Sequence, residues 1–112
     1  MKKENRLKKR KEFAYIFKKG ESVSSKFVVL VYSTSKLKKY KVGFSAGKKV
    51  GKAVYRNKVK RRIKEAVFSY RNNLKGSYNY IFVAKPNSVD ASYQDIKQCV
   101  EYLLKQSNLF ID

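Results

Sequence analysis

The 112-residue chain has no histidine, one cysteine and only eight acidic residues against 28 Lys and Arg. Each shortage closes a route to chemistry. Without histidine the commonest general base is missing, and no His-containing metal site can be assembled. The carboxylates are scattered, with no D-x-D or E-x-x-E pair and no P-loop to hold a metal or a nucleotide. Asp90 and Asp95 read more simply as helix-start residues, where a carboxylate favours the positive end of the dipole. Cys99 has no partner for an internal disulfide and sits in an apolar helical stripe, as a small core residue in a reducing compartment would. No apolar run approaches the about 18 residues of a membrane span, and the N-terminal MKKENRLKKR leads into no long apolar stretch of a signal peptide. The expectation is a cytoplasmic protein without catalytic residues or a bound cofactor of its own. Any reaction associated with it is carried by a partner.

What is present is a core and a one-sided charge. A hydrophobic fraction of 43% with 14% aromatics suffices for a packed interior, and the length fits one domain over residues 1–112. Up to Lys64 there are 23 Lys and Arg against Glu4, Glu12 and Glu21, a net charge of +20; from Glu65 onward five basic residues face five acidic ones. Solubility alone does not require such segregation; a binding face on a neutral scaffold does. The densest stretch is Lys48 to Lys64, KKVGKAVYRNKVKRRIK, with nine Lys or Arg and no acid. It points to a polyanionic partner, above all a nucleic acid.

Periodicity places these residues on elements. Phe13, Ile16 and Phe17 fall at i, i+3, i+4 within Lys9 to Lys19, which predicts a first helix closed by Gly20 as its C′ residue. Lys26 to Ser33, KFVVLVYS, is apolar on both alternating faces and reads as a central strand, with Ser22 to Ser24 pairing briefly before it. Tyr40 to Ala46 forms a strand with Val42, Phe44 and Ala46 on one face, and the two long strands suggest an antiparallel hairpin. Gly47 and Gly51 bracket the turn into a long helix from about Ala53 to Asn73. Its apolar stripe is Val59, Ile63, Ala66, Val67, Tyr70 and Leu74. Arg56, Lys60 and Lys64 recur at four-residue spacing on the solvent side, with Asn57 and Arg61 on the next row. Phe68 lies off the stripe and has no evident packing partner. Tyr78 to Ala84, YNYIFVA, is a strand halted by Pro86. Ser92 and Asp95 form a capping box for a last helix buried through Ile96, Cys99, Val100, Leu103 and Leu104. The order αβββαβα predicts an α+β fold, a sandwich of one sheet and packed helices.

Which nucleic acid is narrowed by what the helices lack. There is no helix-turn-helix pair, zinc-ligand spacing or heptad zipper, so specific reading of duplex DNA is disfavoured. Phe13 and Phe17 on one helix face, with Tyr32 and Tyr40 in the sheet, are either core residues or rings beside cations that stack unpaired bases at about 1–3 kcal/mol each. Two other classes share the size and charge: a structural ribosomal or RNA-chaperone protein, and a cationic membrane-binding domain. Three strands and a neutral C-terminal half argue against the second.

The run Lys48-Lys49-Val50-Gly51-Lys52-Ala53-Val54-Tyr55-Arg56-Asn57-Lys58-Val59-Lys60-Arg61-Arg62-Ile63-Lys64-Glu65 resembles the signature of the bacterial ribonuclease P protein subunit, in outline K-x-x-G-N-A-V-x-R-N-R-x-K-R-x-x-R-E. The resemblance extends over nearly the whole chain, through RLKKRKEFAYIFKKG, KVGFSAGKK, the apolar strand before Lys85-Pro86 and the closing helix. Two positions depart from it: Lys52 stands for the usual Asn, and Lys58 for the second Arg of R-N-R. A lysine keeps the charge and loses the planar two-pronged donor.

The resemblance implies a four-stranded, two-layer α/β sandwich like the second domain of a small-subunit ribosomal protein, with a left-handed βαβ crossover. It implies a non-catalytic subunit of a ribonucleoprotein, bound to a catalytic RNA that removes the 5′ leader of precursor tRNA, with magnesium ions held in the RNA-containing holoenzyme. By the same resemblance Lys48, Lys49, Arg56, Asn57, Lys58, Lys60, Arg61 and Lys64 face the catalytic RNA. Phe13 and Phe17 border the cleft for the single-stranded leader. The family's strand aromatic aligns with Leu30, and Tyr32, two residues on, is its expected substitute. Neither a membrane nor DNA is an expected partner.

Overall fold

The apolar periods of the chain become seven principal elements in the computed structural model, which describes residues 2–112. They are α1 (Arg10–Lys19), β1 (Glu21–Ser24), β2 (Val28–Thr34), β3 (Lys41–Ala46), α2 (Ala53–Ser69), β4 (Tyr78–Ala84) and α3 (Tyr93–Gln106), with short 3-10 turns between them. The order αβββαβα is the expected one. No helix among the described residues is long and apolar enough to cross a membrane.

The strands form one sheet in the order β1-β2-β4-β3. The expected β2–β3 hairpin is therefore absent: β4 lies between them, antiparallel to β2 and parallel to β3. Strand β4 is apolar on both faces, with Tyr80, Ile81 and Phe82 all inaccessible to solvent, so a central place buries more of it than an edge would. The six residues Ser35 to Tyr40 readily cross the roughly 10 Å that two strand spacings require. They also lack the Asn-Gly or Asp-Gly pair that locks a tight hairpin. The parallel β3–β4 pair, joined by α2, makes the βαβ unit of the fold.

Alternation along the strands sends neighbouring residues into two separate cores. Val28 and Leu30 of β2, with Tyr80 and Phe82 of β4, meet Val59, Ile63, Ala66 and Val67 of α2 and Ile96, Val100, Leu103 and Leu104 of α3. Val31 and Ile81 point the other way, to Ile16 of α1 and to Leu7. Helix α3 starts on the capping box anticipated for it: Ser92 Oγ accepts from the Asp95 amide and the Asp95 carboxylate accepts from the Ser92 amide. Those hydrogen bonds hold the Asp95 pKa below its usual value.

Two helix ends differ from expectation. Helix α2 stops at Ser69 rather than Asn73, and Arg71–Asn73 tighten into a 3-10 turn. That turn delivers Leu74 to a bridge with Phe110, and Lys75 N–H donates to the Leu109 carbonyl at 3.1 Å. Gly20 is not left-handed at the end of α1; its φ is −79°. Glycine is required there by close approach, since a Cβ would sit 2.5 Å from the Ile16 carbonyl oxygen and 2.6 Å from that of Tyr32.

Candidate nucleic-acid interface

Helix α2 is aimed by the turn before it. Gly51 adopts φ +135°, a conformation that other residues rarely reach, and brings the Lys48–Val50 turn round into the helix. Lys52 at the N-cap makes no side-chain cap and the first turn carries no acid. The positive end of the helix dipole is left to add to Lys48, Lys49 and Lys52, all of them exposed.

Below that turn the basic residues separate into two rows. Asn57, Lys58 and Arg61 are exposed, whereas Arg56 and Lys60 are half-buried. The Arg56 Nε is sealed from solvent with no hydrogen-bond partner among the described residues. Lys64 holds its ammonium 5.9 Å from the centre of the Phe44 ring. Arg62, from the same basic run, is spent on the fold: its guanidinium donates to the Ala91 carbonyl at 2.7 Å. The eight residues expected to face RNA thus lie along α2 and the turn before it, on a surface that the described acids leave strongly positive.

The second surface lies on the opposite face of the sheet. Turning about 100° per residue around α1, Phe13 and Phe17 fall to one side of buried Ile16, with Glu12, Tyr15 and Lys19 to the other. Glu12 pairs with Lys41 of β3 at 3.6 Å, and Tyr15 and Lys19 share a hollow with Ser33 and Thr34. That side of α1 therefore overlooks the Ser33–Asn79–Lys41 end of the sheet. The Phe13–Phe17 side overlooks the other end, where Val29, Val83 and Ser45 are cross-strand neighbours. Phe13, Val29 and Val83 are only partly buried against the small core, and Phe17 is 48% exposed. Together they leave a partly covered apolar surface beside α1, a helix that itself carries Arg10, Lys11, Lys18 and Lys19.

Of the four residues expected at this cleft, Leu30 is buried away from it and Tyr32 lines the hollow on the Tyr15–Lys19 side of α1. Leu30 is fully buried in the core under α2 and α3, because alternation turns it away from α1. Tyr32 shares that orientation and is half-buried near Tyr78, with ring centres 6.4 Å apart. Burial first, then its hydrogen bond to Glu21, pushes the Tyr32 phenol pKa up. The α1-facing positions on β2 are Val29 and Val31, which carry no aromatic or charge to mark them in the sequence.

Sequence reasoning also missed Arg6, Lys8, Phe44 and Phe68, which the fold gathers at the outer edge of β3. Leu7 N–H donates to the Val42 carbonyl at 2.9 Å, so the basic N-terminal segment borders this edge strand. The apolar period of KVGFSA, which places Phe44 and Gly43 on opposite faces, and the unexplained Phe68 were its signals in the sequence. Among the described residues no group of three or more Asp, Glu, Cys or His side chains could hold a metal ion.

Comparison with known proteins bears on this arrangement. The family model described as Ribonuclease P matches residues 1–108. A protein of Clostridium botulinum named ribonuclease P protein component is 42% identical over 112 residues, covering 96% of this chain and 98% of its own. One of Caldanaerobacter subterraneus is 35% identical, covering 94% and 90%. Among solved structures, the Staphylococcus aureus RNase P protein superposes with a TM-score of 0.86 at 32% identity, over 95% of this chain and 97% of that one. The Thermotoga maritima RNase P protein, at 23% identity, shares the fold with a TM-score of 0.81 over 90% of this chain and 96% of its own.

Proposed function

The chain belongs to the ribonuclease P protein family, the protein subunit of an endoribonuclease holoenzyme that processes precursor tRNA, and on that footing we propose how its two surfaces divide the work. The face of α2, from Lys48 and Lys49 through Arg56, Asn57, Lys58, Lys60, Arg61 and Lys64, docks the catalytic RNA. The groove beside Phe13 and Phe17 takes the single-stranded 5′ leader of the precursor. The observation that carries this reading is the placement of a strongly basic helix and a partly covered apolar surface on opposite sides of one sheet.

The basic face neutralises phosphates and releases their counterions, which gives affinity without base identity. The groove offers stacking and apolar contact to unpaired nucleotides, which precursor tRNA has in its leader and mature tRNA lacks. The protein thereby favours substrate over product. Among the described residues the scattered carboxylates do not suit a magnesium site, which leaves the magnesium of the holoenzyme to the RNA.

The test is reconstitution with a bacterial ribonuclease P RNA at low magnesium. Wild-type protein is expected to raise the rate of leader removal and to bind precursor more tightly than mature tRNA to the holoenzyme. Arg61→Ala is expected to weaken catalytic-RNA binding about tenfold and to lower the salt slope by about one. Equal affinity for precursor and mature tRNA in the wild-type holoenzyme would overturn the leader groove.

A further inference from the structure

One cavity lies in neither surface proper but between them, at the outer edge of β3, with a volume of about 450 Å³. That is within the range of small-ligand sites, roughly 300–1,000 Å³. Gly43 makes room for one wall: a Cβ there would fall 2.5 Å from the tip of the Phe13 ring, so only glycine lets this ring approach the strand so closely. Phe44 provides a second aromatic surface and Phe68, across the opening on α2, a third.

Phe68 is the residue that the apolar stripe of α2 does not explain. It is 44% exposed, yet it is fixed in place: the Arg71 guanidinium stacks on its ring at 4.3 Å and donates to its carbonyl at 3.0 Å. A ring half in water, lining the same cavity as Phe13 and Phe44, offers unused stacking surface. Around it stand Arg6, Lys8, Lys60 and Lys64, against the single carboxylate of Glu65. Four cations to one acid suit a ligand that carries phosphate. Glu65 repels phosphate and accepts hydrogen bonds from an N–H edge, so its end of the cavity suits the base.

We propose that the cavity bounded by Phe13, Phe44, Phe68, Lys60, Lys64 and Glu65 receives one unpaired nucleotide of the catalytic RNA, its base against the aromatic lining and its phosphates against the lysines. The RNA source rests on the docking role proposed for α2, because that helix supplies Lys60, Lys64, Glu65 and Phe68. The inserted base would fix the register of the helix on its RNA, which phosphate contacts alone do not do.

The test compares wild-type, Phe68→Ala and Phe68→Trp protein in the reconstituted holoenzyme by chemical probing of base accessibility in the catalytic RNA. Wild-type and Phe68→Trp protein are expected to protect an unpaired base that Phe68→Ala leaves reactive. Phe68→Ala is also expected to bind catalytic RNA about tenfold more weakly with the precursor-to-mature affinity ratio unchanged. If Phe68→Ala alters the circular dichroism of the free protein, Phe68→Gln, which keeps the aliphatic stem, takes its place. The same protection pattern with and without the ring overturns the proposal. So does a loss of precursor affinity with catalytic-RNA affinity intact, which would make the leader the occupant. Stimulated leader removal without a ring-dependent protection defeats this site alone; no stimulation by the wild-type protein defeats the docking role as well.

Discussion

The two faces of the sheet are built from the same four strands and put to opposite uses. Under α2 and α3, nineteen described buried residues form one continuous core; on the α1 side there are four. A helix of ten residues cannot cover a four-stranded face, and the residues it leaves half-covered, Phe13, Val29 and Val83, are apolar. The difference teaches that stability is concentrated on one face, which frees the other to keep apolar surface accessible. Exposed apolar side chains beside dense positive charge are a liability in a free protein and an asset against unpaired RNA.

The sharpest way to break the comparison is to cut equivalent volumes from both cores. Ile63→Ala, in the middle of α2 with no exposed surface, is expected to cost about 4 kcal/mol, near the upper part of the range for such truncations. Ile16→Ala, nearly as buried on the α1 side, is expected to cost about 2 kcal/mol, because a thin layer can settle into the gap. Urea unfolding monitored by circular dichroism measures both. Equal losses would mean that the α1 face is as much a core as the other.

The two glycines that admit close contacts give a second, smaller contrast. At Gly20 an added Cβ meets two backbone oxygens, which cannot yield without moving α1 or β2. Gly20→Ala is expected to destabilise by about 2–3 kcal/mol. At Gly43 the obstacle is the far end of the Phe13 side chain, which can swing away. Gly43→Ala is expected to cost only about 1 kcal/mol while displacing the ring, so its larger effect should fall on RNA binding. A stability loss at Gly43 equal to that at Gly20 would show that Phe13 is wedged rather than laid against the strand.

Phe13 and Phe17 sharpen the contrast within one helix. Phe17 is exposed and Phe13 packs on Gly43 and the small core, so spacing alone, which sets them together, overstates their likeness. Phe17→Ala is expected to lower precursor affinity about fivefold through lost stacking, with unfolding free energy changed by less than about 0.5 kcal/mol. Phe13→Ala should lower both affinity and stability. Precursor binding to the holoenzyme and denaturant unfolding of the free protein separate the two. An unchanged precursor affinity in Phe17→Ala would remove that ring from the leader groove.

These contrasts show which parts of the molecule local patterns can reveal. The stripe of α3 and its Ser92–Asp95 box are properties of adjacent residues, and both appear in the structure as expected. The element order was legible for the same reason. Strand order was not, because the choice of β4 over β3 as neighbour to β2 is settled by how much of β4 can be buried, a property of the whole sheet. The basic face of α2 was legible from its period only in part: Asn57, Lys58, Arg61 and Lys64 are exposed, whereas Arg56 and Lys60, expected on the solvent side, are half-buried. The placement of Leu30 was not: a run apolar on both faces does not say which face meets α1, and resemblance to an aromatic position could not supply the missing orientation. Phe68 stood out in the sequence as unexplained, and only the fold brought Phe13, Phe44 and the N-terminal cations to meet it.

The smallest expected effect probes the neutral face with pH. Tyr70, at the C-terminal end of α2, has its phenol pKa pushed from 10.0 up to about 12, by burial first and then by its hydrogen bond to Glu101. The phenol donates to the Glu101 carboxylate at 3.1 Å, and the ring lies 5.9 Å from that of Phe110. Because the folded state binds this proton more tightly than the unfolded one, the contribution is complete below pH 10 and declines as pH rises towards 12. Tyr70→Phe keeps the ring contact and removes the titration, so its stability should fall less steeply than wild type through that window. Lys97 holds its ammonium 5.7 Å from the Tyr70 ring and Lys105 lies 5.1 Å from that of Phe110, and Tyr70→Phe leaves both in place. The informative quantity is therefore the difference in slope between Tyr70→Phe and wild type. If that difference is zero, the Tyr70–Glu101 hydrogen bond contributes nothing to holding α2 against α3.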